Sequence, residues 1–426
     1  MAECEKRIDT ASGIPVYTYL NPASSGFFIS LFVKSGCMYE TAEESGITHF
    51  FEHIAIRNVN CLMDGELYRL LDRYGIEFNA STFSEMVQFY LSGASENFSR
   101  AIPVLKELFS PIALSSSEID SERRRIKAEI READENNSLF SFAQEKVFEG
   151  TSLARPITGT LGSVSRIGKG RLEDFRRRVF TPDNLFVYVT GNVDKESLGQ
   201  LVRMLGGVTL FDGVSADNLA PVPSGFLKRA GGVYIKSAQY TGLRLNFDVD
   251  MRHASVAELD LIYDAVLSGY SSPMFIELSE KRGLCYDLSG NVERYKNLGV
   301  FSFGFETKES KLSEALSVAL GIISRMKTEE FWRELPVGAS YVDNCMMLYD
   351  DNRDLCFTFA YDNHLLGAGY RDLASRREEY VRARTPSALA AACKRIFTRD
   401  GLTLAIRGNK RRIDLEELKM QIDNNF

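Results

Sequence analysis

Two stretches of this 426-residue chain repeat each other at long range: Leu185-Phe-Val-Tyr-Val-Thr-Gly191-Asn192 and Leu402-Thr-Leu-Ala-Ile-Arg-Gly408-Asn409. Each is a run of apolar residues stopped by glycine, the pattern of a buried strand. Leu198 and Leu201 follow the first run, and Leu415 and Leu418 follow the second at the same offset. A repeat of about 215 residues implies two copies of one domain, and a chain of this length exceeds one ordinary hydrophobic core. Between 206 and 225 the composition changes to Gly206-Gly207, Asp212-Gly213, Pro221, Pro223 and Gly225, with no apolar period. This segment reads as a linker. The domains are therefore expected at 1–212 and 226–426, with 206–225 between them.

Within the first half the pattern alternates between strand and helix. Phe27 to Val33 is rich in apolar, aromatic and β-branched residues and predicts a strand. Gly46 precedes a helix, Glu66 to Arg73 continues helical, and Gly75 ends it. Phe78 to Leu91 reads as a strand pair, because Val87, Phe89 and Leu91 alternate. Helices are expected over Ser99–Leu108, stopped by Pro111, and over the highly charged Ser117–Glu135. In the second half, Gly232–Lys236, Gly242–Val249 and Val300–Phe305 read as strands and Ser255–Leu267 as a helix. The fold class expected is α+β: two homologous layered domains, each a mixed or antiparallel sheet flanked by helices.

The helix after Gly46 carries His49-Phe-Phe-Glu52-His53, and with it two of the four histidines of the chain. This H-x-x-E-H string inverts the order found in the commoner zinc peptidases. On a helix, positions 49, 52 and 53 fall within roughly 100° of one another. Two imidazoles can then grip one metal while a carboxylate stands beside it. The bland alternative is a helix with two partly buried histidines bonded to neighbours. The second half carries no such string, so one copy holds the metal and the other has a different task.

Charge and cysteine usage narrow the setting. A net charge of −7 and a pI near 5.5 leave no basic footprint for nucleic acid. The short runs Arg123–Arg125, Arg176–Arg178 and Lys410–Arg412 lie among acids and read as solvated faces. Cys4, Cys37, Cys61, Cys285, Cys345, Cys356 and Cys393 are scattered without C-x-x-C spacing, which suits a reducing compartment and offers no cysteine metal site. With no stretch of about 18 apolar residues, the expected setting is the cytoplasm, without a membrane partner.

A catalytic zinc takes three protein ligands and a water, so a carboxylate should join the two histidines. The charged helix offers Glu118, Glu122, Glu129, Glu132 and Glu135, and periodicity does not choose among them. Here the sequence resembles the insulinase/pitrilysin peptidases, in particular their short bacterial branch similar to mitochondrial processing peptidase. Gly46-Ile-Thr-His49-Phe-Phe-Glu52-His53 is similar to the family's Gly-x-x-His-Phe-x-Glu-His. The family's third ligand lies 76 residues beyond the second histidine, which falls on Glu129. Its supporting acid, seven positions earlier, falls on Glu122. Phe78-Asn79-Ala80-Ser81-Thr82 with Glu85 resembles the segment whose edge strand pairs with substrate, implying Asn79 and Ala80 as substrate-binding residues. Glu280-Lys281-Arg282-Gly283-Leu284-Cys285-Tyr286 resembles a block in the second half whose tyrosine reaches substrate.

The resemblance implies a zinc-dependent endopeptidase acting on peptides or unfolded segments, with His49, His53 and Glu129 on Zn2+ and Glu52 as general base on the bound water. It also implies that the chain is half of a clamshell, completed by a second subunit of the same family. Two departures stand out. Ser279 occupies the place of an arginine usually paired with Tyr286, and Ile56-Arg57-Asn58 stand where Phe-Lys-Gly-Thr is usual. The first tips the expectation from a homodimer towards a heterodimer whose partner supplies the missing pair. The rival expectation is a non-catalytic peptide-binding or scaffold subunit of a related dimeric complex.

Overall fold

The computed structural model describes residues 4–135, 139–213, 231–268, 271–285, 287–335, 337–347 and 351–426. Tyr286 and the part of the expected linker from 214 onwards lie outside them. The chain forms two compact units, each built on one sheet.

In the first unit the strands are β1 (Lys6–Asp9), β2 (Pro15–Leu20), β3 (Gly26–Lys34), β4 (Glu77–Thr82), β5 (Met86–Ala94) and β6 (Leu185–Gly191). Their order is β1-β2-β6-β3-β5-β4, and only β2 and β6 run parallel. Register follows the two-residue period of side chains. Ile29 lies opposite Leu91 and Val189, and Leu31 opposite Phe89 and Val187, so these residues share one face. Onto that face pack α1 (Ile47–Leu62), α2 (Leu67–Tyr74), α3 (Phe98–Glu107), α4 (Ser116–Glu135) and, further along, helices Lys169–Val179 and Lys195–Gly206. Each large side chain buried there contributes about 1.5–3 kcal/mol.

The opposite face of this sheet is also buried, and it is aromatic. Phe28 stacks on Tyr90 and Phe32 on Phe186. It is met by helix Asn352–Phe359, which comes from the second half of the sequence. Phe359 packs on Tyr19 at 5.0 Å, Thr190 Oγ1 donates to the Asn352 carbonyl at 2.6 Å, and Asn352 Nδ2 donates to Ser24 Oγ at 2.8 Å. Gly191, which ends β6 at φ +91°, has to be glycine, since a Cβ there would sit 2.2 Å from the Gly26 carbonyl oxygen.

The second unit repeats the plan with β7 (Val233–Ser237), β8 (Thr241–Asp250), β9 (Leu288–Arg294), β10 (Leu298–Thr307) and β11 (Leu402–Gly408), ordered β7-β11-β8-β10-β9. The sheets correspond strand for strand: β2, β6, β3, β5 and β4 match β7, β11, β8, β10 and β9, down to the single parallel pair. Helix Val256–Val266 stands where α1 stands in the first unit, with Ser255 as its N-cap and no histidine.

The units are not cut at one point of the chain. The first comprises Met1–Asn136, Gly150–Val222 and Tyr349–Tyr361, and the second Asn137–Glu149, Pro223–Leu348 and Asp362–Phe426. Each half of the sequence thus lends one helix to the other half's sheet. Helix Leu139–Val147 lies on β8 and β11, where Phe142 and Ala143 pack on Ala405 and Gln144 Nε2 donates to Glu293 Oε2 at 3.0 Å. The contiguous division expected from the sequence misses this exchange because the apolar period of a lent helix does not say which sheet it serves.

Candidate active site

The first unit carries the site on α1, α4 and β4. Between Ile47 and Asn60, residues 49, 52, 53, 56, 57 and 60 are the partly exposed positions of α1, while Ile47, Phe50, Phe51 and Ile54 are buried in the core. That 3.6-residue period turns His49, Glu52 and His53 away from the sheet together. The start of α1 is pinned by a buried carboxylate: Glu40 Oε2 accepts from Gly46 N at 2.8 Å and Oε1 from Thr48 N at 2.9 Å. Burial pushes the Glu40 carboxyl up, and these two backbone donors oppose the rise.

Helix α4 reads as charged, yet Ile119, Ile126 and Ile130 are buried, and with Glu122 they form a stripe facing the core. This stripe orients the acids. Glu118 accepts from Ser115 N at 2.9 Å at the start of α4. Glu122 reaches His53, and Glu129 faces both histidines. Glu132 is exposed, and the Glu135 side chain lies outside what is described.

Glu129 Oε2 lies 3.9 Å from His49 Nε2 and 3.7 Å from His53 Nε2. One donor atom from each of His49, His53 and Glu129 falls within 4.8 Å of the others, the group of candidate metal ligands found among the described residues. The rings of the two histidines are 4.7 Å apart. Burial, then the neighbouring His53, pushes His49 down to about 4, so it is a neutral imidazole at ordinary pH, the form that ligates metals. His53 Nδ1 lies 3.4 Å from Glu122 Oε2, and Arg57 Nη1 donates to Glu122 Oε1 at 2.6 Å. A carboxylate accepts, so the contact with Glu122 favours the tautomer with its proton on Nδ1, the one that leaves Nε2 available to a metal. His49 Nδ1 is buried with no hydrogen-bond partner among the described residues.

Glu52 accepts a hydrogen bond from Thr82 Oγ1 of β4. Burial raises its carboxyl above the usual range, and the Thr82 bond opposes this. Strand β4 is at the edge of the sheet, with β5 as its one neighbour there. Asn79 is exposed and its Oδ1 accepts from Ala80 N at 2.9 Å. In the second unit, Ser279 lies in the short π-helix Ile276–Glu280, and its carbonyl accepts from Gly283 N at 2.8 Å. Arg282 pairs with Glu277 at 3.5 Å.

Three contacts at this site are absent from the sequence reading: Glu40 at the start of α1, Thr82 on Glu52, and Arg57 on Glu122. The partners are 30 residues apart for Thr82 and Glu52 and 65 for Arg57 and Glu122. Nothing in local periodicity links residues that far apart.

The first of the two matched sheet-and-helix units thus gathers two imidazoles and a carboxylate, a donor set suited to a metal ion, with the Glu52 carboxylate on the same face of α1. Comparison with known proteins gives the family. Residues 18–161 match the insulinase family, Peptidase family M16, and residues 166–334 match the Peptidase M16 inactive domain. An uncharacterized zinc protease of Rickettsia bellii (strain RML369-C) is 25% identical over 370 residues, covering 84% of this chain and 85% of that protein. A crystal structure of a protease from Helicobacter pylori superposes with a TM-score of 0.80 at 17% identity, covering 96% of this chain and 100% of that one. The periplasmic protease PqqL from Escherichia coli superposes at 0.78 and 14% identity, covering 99% of this chain but 50% of that one. The chain belongs to the insulinase (M16) family of peptidases. No helix among the described residues is long and apolar enough to cross a membrane.

Proposed function

We propose that this chain is a zinc-dependent endopeptidase that hydrolyses peptides or unfolded polypeptide segments. The observation that carries this reading is the convergence of His49, His53 and Glu129 with Glu52 beside them. Two nitrogen donors and one carboxylate oxygen are the donor set zinc accepts at sites that keep an open position. A neutral His49, short of a protein partner on one nitrogen, fits that role. So does His53, whose Nδ1 is taken by Glu122. When bound, the ion supplies a Lewis acid and a water whose pKa is lowered to about 7.

The chain's own residues do the rest. A Glu52 carboxylate oxygen takes the proton of the attacking water and gives it to the leaving amine. A carboxyl raised by burial suits both directions better than one in its ordinary range. Substrate lies along β4 as an added strand, held mainly by backbone hydrogen bonds and so with little demand on its sequence. Asn79 covers Ala80 N in the free protein, and an incoming peptide displaces that side chain to reach the strand. Tyr286, in its expected role at the substrate, belongs to this proposal from the sequence alone.

Glu52→Gln is expected to lower the rate of cleavage of a quenched peptide by about 10²–10⁴-fold, with zinc content still near one per chain. Full activity in that variant overturns the assignment.

The proposed partner is a second subunit of the same family. Support comes from PqqL, of which this chain matches one half. Ser279, in place of arginine, favours a heterodimer over a homodimer and is also what favours the second reading, a non-catalytic peptide-binding or scaffold subunit. If the purified chain alone cleaves peptide at a robust rate, both the heterodimer and the scaffold fall. Peptide affinity that survives chelation, with no turnover in zinc, favours the scaffold. A cytoplasmic setting stays part of the proposal, resting on cysteines whose thiols are free where they are described.

A further inference from the structure

Arg57 and Asn58, which depart from the family's usual string after the second histidine, fasten α1 to α4 and to the segment before it, respectively. Arg57 Nη1 lies 2.6 Å from Glu122 Oε1 in the middle of α4. Asn58 is buried; its Oδ1 accepts from Ala113 N at 2.7 Å and its Nδ2 donates to the Pro111 carbonyl at 3.0 Å, in the segment leading into α4. Neighbouring helix positions point about 100° apart, so the two side chains hold α1 at two places, one on α4 and one on the segment before it.

Glu122 stands between two partners, one on each oxygen. Towards His53 the separation is 3.4 Å, a long hydrogen bond that leaves both groups room to turn. Towards Arg57 it is a short charge-assisted contact. We infer that Arg57 is a positioning residue: by holding Glu122 Oε1 it aims Oε2 at His53 Nδ1 and so fixes the direction in which His53 Nε2 presents its lone pair. This rests on the proposed metal site. The competing effect is repulsion between the guanidinium and a bound dication. The Arg57 side chain is 36% exposed, so water screens that repulsion, whereas the hold on Glu122 is local. Positioning therefore outweighs repulsion.

The test is titration of the purified full-length protein with zinc alone, against a chromophoric chelator, with folding followed by circular dichroism. Arg57→Met is expected to weaken zinc binding by about 10–100-fold, the usual effect of removing an outer partner of a ligating histidine. Arg57→Lys, which keeps a cation opposite Glu122, is expected to restore most of the affinity. Where the methionine variant does not fold, Arg57→Gln replaces it, with an intermediate loss. In a Glu122→Gln background, Arg57→Met is expected to add little, because Arg57 acts through Glu122. A merely structural role predicts additive losses, and that result overturns the inference. So does an Arg57→Met protein that binds zinc within about twofold of the parent, or more tightly than the parent. His49→Ala separates the two levels. If the parent takes up no zinc, or His49→Ala binds as the parent does, the metal site itself falls and the inference with it. If the parent binds one zinc and His49→Ala does not, a null result for Arg57→Met falls on the inference alone.

Discussion

At Glu52 two opposing effects act on one carboxyl, and their balance sets its chemistry. Burial disfavours the charged form, and the Thr82 hydroxyl favours it. Thr82→Val removes the second effect and leaves the first, so the Glu52 carboxyl rises further. A general base must be deprotonated to act, and the acidic limb of the kcat/KM profile is therefore expected to move to higher pH. The profile of the variant measured beside the parent decides it; an acidic limb that stays in place or moves down removes Thr82 from the site's chemistry. The string from His49 to His53 and the spacing to Glu129 are legible in the sequence, because helical periodicity and one family spacing are short rules. The roles of Thr82 and Arg57 are not, since a side chain's partner across 30 or 65 residues is settled only when strands and helices pack.

Helix α1 depends on how its first turn is built. Gly46, the residue before it, has φ +88°, and a Cβ there would sit 2.6 Å from the Thr158 carbonyl oxygen and 2.8 Å from Gly159 Cα. Gly159 is itself at φ +73° and faces Gly46 in return. Two glycines back to back let the loop at 158–159 close over the start of the helix that carries His49 and His53. Gly46→Ala is expected to lower the unfolding free energy by about 1–3 kcal/mol from the positive φ alone, read as a lower urea midpoint at unchanged slope. An unchanged midpoint would show that the loop gives way at no cost. The sequence signals the glycine as a helix boundary, and so it is. Its second duty, admitting another stretch of backbone, leaves no trace in local pattern. The same holds for α4, whose charged sequence conceals an isoleucine stripe spaced for one buried face.

The exchange of helices makes the two units interdependent. A fragment of residues 1–212 lacks helix Asn352–Phe359 and keeps 139–147 without the sheet it serves. Tyr19, Phe28 and their neighbours on the aromatic face then lose their cover. Each large side chain so uncovered costs about 1.5–3 kcal/mol, against a total stability of about 5–15 kcal/mol for a domain. The fragment is expected to bind a hydrophobic dye and to unfold without a cooperative transition. The same fragment carrying residues 349–361 on a flexible tether is expected to recover that transition. A cooperative, dye-silent 1–212 fragment would mean that the lent helix contributes little.

The choice of Glu129 rests on the family's spacing, whereas the order of apolar and polar residues is sufficient for the repeat, most of the strands of both sheets and the helix that carries His49, Glu52 and His53. These are properties of short windows, where period and glycine placement act directly on the backbone. Which sheet each lent helix covers, which hydroxyl meets Glu52 and which cation holds Glu122 are decided by packing. Those pairings join residues remote in sequence, and only burial of a shared surface brings them within reach of one another.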